Sequence, residues 1–99
     1  MAKAQETVLE VNLSALEHNY VYLKSKLQKK TKFLAVVKAF GYGSDAAIIS
    51  QKLQQLKVDY FAVAYTSEGV ALRKAGIIAP IIVFHPQIVN FKTIINHCL

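Results

Sequence analysis

The chain has 99 residues, enough for one small domain or for a part of a larger one. Apolar residues make up 54% and charged residues 18%, a balance too hydrophobic for intrinsic disorder. A net charge of +6 permits an acidic partner without specifying one, and a lone cysteine, Cys98, excludes an internal disulfide framework or a multi-cysteine zinc site.

No apolar run approaches the roughly 20 residues of a membrane helix, and the N-terminus lacks a signal-peptide core, so the cytoplasm is the expected compartment. Thr7 to Leu13 reads as a strand, because Leu9, Val11 and Leu13 alternate with Glu10 and Asn12. Ser14-Ala15-Leu16-Glu17 has the form of a capping box and is expected to open a helix whose apolar stripe is Leu16, Tyr20, Leu23 and Leu27. Lys24, Lys26, Lys29, Lys30 and Lys32 follow as a basic stretch. A solvated helix end is preferred there over a nucleic-acid patch, since no aromatic residues interleave for base stacking.

Phe33 to Val37 is a continuous apolar run, as expected of a strand covered on both faces of a parallel sheet. A helix is expected over Asp45 to Leu56, capped by Ser44 or Asp45, with Ile49, Leu53 and Leu56 facing inward. Tyr60 to Ala64 is the next buried strand, and a helix follows from Thr66 or Ser67 to Ala75, with Gly76 at a left-handed C-cap. Pro80 introduces a strand over Ile81 to Phe84, ended by His85 and Pro86. In the tail, Ile88, Phe91, Ile94, Ile95 and Cys98 share one helical face. Buried strands linked by helices imply right-handed βαβ units in a parallel α/β sheet. Closing such a sheet into a barrel takes about 250 residues, so a part of a larger fold is expected rather than a complete small domain.

Lys38 carries the most chemistry. It ends the first buried run, and in parallel α/β folds the carboxyl ends of the strands converge on the active site. Partial desolvation at such a rim frees an amine for Schiff-base chemistry, whereas a stem lying on apolar surface with its ammonium in water is the alternative. Gly41 and Gly43 around Tyr42 permit positive φ, and the next helix offers amides to an anion; an ordinary βα turn with a half-buried tyrosine is equally compatible. The turn lacks the lysine and spacing of a P-loop, which disfavours a nucleotide.

The stretch AVVKAFGYG, Ala35 to Gly43, resembles the pyridoxal-phosphate lysine motif of bacterial alanine racemases, usually AVVKANAYGHG. TVLEVNLSALEHN (Thr7 to Asn19) is similar to that family's opening strand and first helix. FAVAYTSEGVALRKAGIIAPIIVF (Phe61 to Phe84) is similar to its second and third barrel strands with the helix between. The resemblance implies the N-terminal portion of a (β/α)8 TIM barrel, with residues 1–99 a partial cofactor-binding domain and the family's C-terminal β-domain absent. It implies that Lys38 binds pyridoxal 5'-phosphate covalently and serves as one of two acid–base residues, while a tyrosine of a partner subunit serves the other face. Tyr42 would then hydrogen-bond the cofactor phosphate, and Val36 and Phe84 would help wall the pocket or pack the barrel core. The implied reaction interconverts L- and D-alanine for peptidoglycan synthesis in a homodimer, without metal, nucleic acid or membrane, and the 99 residues alone are expected to be inactive and to self-associate.

Phe40-Gly41 replaces the commoner Asn-Ala and Ser44-Asp45 replaces His-Gly, a variant that is similar to racemase domains fused behind a cell-wall ligase. Two alternatives stand beside this reading: another pyridoxal-phosphate barrel (a broad amino-acid racemase or a cofactor-homeostasis protein), and a non-enzymatic basic α/β binding domain. The remaining polar residues are expected to be structural. His18 and His97 lack metal-ligand spacing, His85 and Asp59 read as loop residues, and Cys98 packs. Glu68, Arg73 and Gly76 serve as caps or ion-pair partners.

Overall fold

A computed structural model describes residues 7–43 and 45–99. Three short strands, β1 (Leu34–Val36), β2 (Tyr60–Val63) and β3 (Ile81–Val83), form a parallel sheet in the order β1-β2-β3. Around them run α1 (Leu13–Ser25), a brief helical turn α2 (Lys38–Tyr42), α3 (Ala46–Gln55), α4 (Thr66–Lys74) and α5 (Phe91–Asn96), the last entered through a 3-10 turn at Ile88–Asn90. The parallel α/β arrangement expected from the apolar runs is therefore present, with three strands rather than four among the described residues.

Register explains which side is core. Ala35 pairs with Phe61 and Phe61 with Ile81, so these three stand in one row across the sheet, and Val63 pairs with Val83 in the next. Phe61 and Val63 are fully buried there, packed with Leu53 of α3, Leu72 of α4 and the loop residues Val58 and Ile77. The alternate row runs Val36, Ala62, Ile82 and lies on the opposite face, where Ile82 is 43% exposed. One face is thus covered by helices, while on the other Ile82 is in contact with solvent and only the small Ala62 between its larger neighbours is fully buried.

Each helix end has a local cause. Asn12, not Ser14, caps α1: its side-chain oxygen accepts from the Ala15 amide at 3.0 Å, and the expected Ser14–Glu17 box does not form. Glu17 instead faces Lys52 of α3 at 3.7 Å. The Asp45 carboxylate caps α3 by accepting from the Ala47 and Ile48 amides, while Ser44, the other expected cap, lies outside the described residues. Gly76 follows α4 at φ +92°, the left-handed conformation that the sequence predicts for it.

Three expectations fail. Residues 7–12 form no strand; Val8 and Leu9 are exposed and find no sheet edge among the described residues. On α1 the apolar stripe is buried only at Tyr20 and half-buried at Leu16, because the core reaches only the middle of the helix; Leu23 and Leu27 face solvent. In the tail, Ile88, Phe91, Ile95 and Cys98 are exposed and Ile94 alone is half-buried, so most of that helical face is uncovered and Cys98 does not pack.

Candidate active site

Lys38 begins at the carboxyl end of β1, where the expected parallel-sheet rim lies. The backbone after it does not enter an ordinary helix. Ala39, Phe40, Gly41, Tyr42 and Gly43 have φ of 52, 55, 64, 57 and 87°, a run of five left-handed residues. Left-handed backbone brings Cβ against the following carbonyl, and such runs persist only where the surroundings over-determine them. Here the turn is closed from within by the Gly41 amide on the Val37 carbonyl at 3.0 Å and the Gly43 amide on the Ala39 carbonyl at 3.0 Å. Gly41 also touches α3 closely: a Cβ at this position would meet the Ala46 backbone at 3.1 Å. The glycine that departs from the commoner Ala therefore sets how near the turn lies to α3.

The turn is also fastened from outside. Glu68, in the first turn of α4, accepts from the Ala39 amide through Oε2 at 2.8 Å. Its Oε1 accepts from the Ala64 and Tyr65 amides, each at 2.9 Å. One carboxylate thus joins the turn after β1 to the turn after β2. The sequence suggests Glu68 as a cap or an ion-pair partner; its partner Ala39, 29 residues away, leaves no local pattern.

Lys38 is half-buried, and its ammonium makes no hydrogen bond or ion pair among the described residues. Tyr42 is exposed at the end of the same turn. Val36 and Phe84, the expected wall residues, fall on or just beyond the strands at the open side: Val36 shares its row with Ala62 and Ile82, and Phe84 follows β3, 45% exposed. A groove of about 370 Å³ runs along the free edge of β1 between α1 and α3, lined by Leu16, Tyr20, Val36 and Tyr42 among others; Lys38 does not line it.

One expectation is corrected. The start of α3 does not offer free amides to an anion, because the Asp45 carboxylate already accepts from Ala47 at 3.1 Å and Ile48 at 3.3 Å and places negative charge there.

Other polar residues resolve into scaffold. Among the described residues Arg73 forms no ion pair; its guanidinium donates to the carbonyls of Ile77, Ala79, His97 and Cys98 at 2.7 to 3.0 Å, fastening the tail to the base of β3. Asp59 is more than a loop residue, since its carboxylate accepts from the Phe33 amide at 2.7 Å and fixes the entry to β1. His85 is exposed and lies 5.8 Å from the Tyr65 ring, while the His97 ring is turned to the Thr93 carbonyl at 2.9 Å. Lys24 and Lys26 lie over the rings of Tyr20 and Tyr22, so part of the basic stretch is engaged with α1 itself. Among the described residues, no three His, Cys, Asp or Glu side chains gather to hold a metal, and no helix is long and apolar enough to cross a membrane.

Comparison with known proteins gives a consistent neighbourhood. A family model described as alanine racemase, N-terminal domain, matches residues 11–97. The chain is 41% identical over 80 residues to an alanine racemase of Citrifermentans bemidjiense, covering 81% of this chain and 21% of that protein. It is 42% identical over 95 residues to alanine racemase 2 of Oceanobacillus iheyensis, covering 93% and 24%. Among solved structures, the alanine racemase of Clostridium difficile 630 superposes with a TM-score of 0.86 at 36% identity, over 94% of this chain and 26% of that one. The chain therefore spans between about a fifth and a quarter of each of these three proteins.

Proposed function

The chain belongs to the family of the alanine racemase N-terminal domain, and on that premise we propose that it furnishes the lysine-bearing part of an enzyme interconverting L- and D-alanine. Its fold is the N-terminal portion of a (β/α)8 barrel of the alanine racemase type. The observation that carries the proposal is Lys38: a half-buried, otherwise uncommitted amine at the carboxyl end of a parallel strand, set on a turn held by hydrogen bonds from two sides.

These residues fit pyridoxal phosphate. The group needs an amine to condense with its aldehyde and donors for its phosphate; Lys38 offers the first, and the exposed Tyr42 hydroxyl offers one of the second. Val36 and Phe84 would give it apolar walls. When bound, the cofactor supplies an electron sink that acidifies the α-hydrogen of an amino acid. Lys38 would hold it covalently and move a proton at one face of the α-carbon. Inversion needs a second group on the opposite face, which we assign to the partner subunit of a homodimer, outside these 99 residues. The activity therefore belongs to the complete barrel with its C-terminal β-domain, working in the cytoplasm to provide D-alanine for peptidoglycan.

The test is to incubate the protein with pyridoxal phosphate, reduce with borohydride and map the modified peptides. Label concentrated at Lys38 supports the assignment; even labelling of all the lysines overturns it. The 99 residues alone are expected to give no measurable racemisation, and robust turnover by them would refute the division of labour.

A further inference from the structure

We propose that Glu68 is a positioning residue for Lys38, a clamp that holds the left-handed turn in place by joining it to the β2 rim; the proposal rests on the cofactor reading of Lys38. Capping α4 needs only one carboxylate oxygen, and Oε1 does it, accepting from Ala64 and Tyr65. The second oxygen is spent elsewhere, on the Ala39 amide 2.8 Å away, directly after Lys38. That amide opens the left-handed turn, and the first amides of a helical turn have no partner within it. The internal bonds of the turn start later, at the Gly41 amide. Glu68 therefore satisfies one of the donors that the turn leaves over, and the bond is charge-assisted, which makes it short and strong. Because Oε1 is anchored on β2, the bond also fixes where the start of the turn sits relative to the neighbouring strand. Lys38 is thereby held at the rim through its own peptide link to Ala39.

Glu68→Gln separates the two roles. Its amide oxygen can serve Ala64 and Tyr65 as Oε1 does, but its NH2 then faces the Ala39 N–H, donor against donor. Amide exchange followed by NMR on the chain is expected to rise about tenfold at Ala39, with Ala64, Tyr65 and the core amide of Phe61 unchanged. In the same variant, borohydride-trapped pyridoxal phosphate at Lys38 should fall towards the level of the surface lysines. Glu68→Asp, one methylene shorter, should behave like Glu68→Gln at Ala39. Unchanged exchange at Ala39 in both variants overturns the clamp, as does a rise shared equally by Phe61, which would mark general destabilisation. Even labelling of the unsubstituted chain defeats the cofactor reading instead, and leaves the result at Ala39 standing on its own.

Discussion

The two faces of the sheet are built from the same kinds of residue and meet different fates. Under the helices, Phe61 and Val63 are fully buried, and Leu72 and Ile77 close over them. On the other face, Ile82 and Phe84 remain 43% and 45% exposed although they are equally apolar. Burial on the first face is a result of this chain's own folding. The second face is apolar without a covering layer among the described residues, as suits strands whose inner side packs in a closed barrel. The 54% apolar content belongs to both faces, so composition alone overstates the finished core.

Substitutions should separate the faces by size of effect. Phe61→Ala removes the largest fully buried side chain and is expected to cost about 3–5 kcal/mol, measured by urea unfolding, enough to unfold a chain of this size. Arg73→Ala strips a shared donor from four carbonyls and should cost about 2–3 kcal/mol, with the tail from Ile88 losing amide protection first. Ile82→Thr on the open face should change unfolding by no more than about 0.5 kcal/mol while reducing self-association in sedimentation. An Ile82→Thr cost approaching that of Phe61→Ala would erase the distinction between the faces.

The rim shows what separates the legible from the hidden. Lys38 was legible because a strand end is announced by the close of an apolar run. The turn geometry was not: Gly41 and Gly43 hint at positive φ, while Ala39, Phe40 and Tyr42 adopt it against their own preference. The reading of Ser14 as a cap failed because Asn12 offers a competing cap two residues earlier, and motif spacing cannot choose between them.

The sequence by itself determined the parallel α/β order, the limits of α3 and α4, the left-handed Gly76 and the place of Lys38. All of these follow from short-range periodicity and conformational preference, which act within a few residues. Tertiary structure decided the left-handed run, the Glu68 bridge, the Asp59 anchor on Phe33 and the fourfold grip of Arg73. Those depend on carboxylates, amides and carbonyls that are far apart along the chain and meet only when β1, β2 and β3 stand side by side.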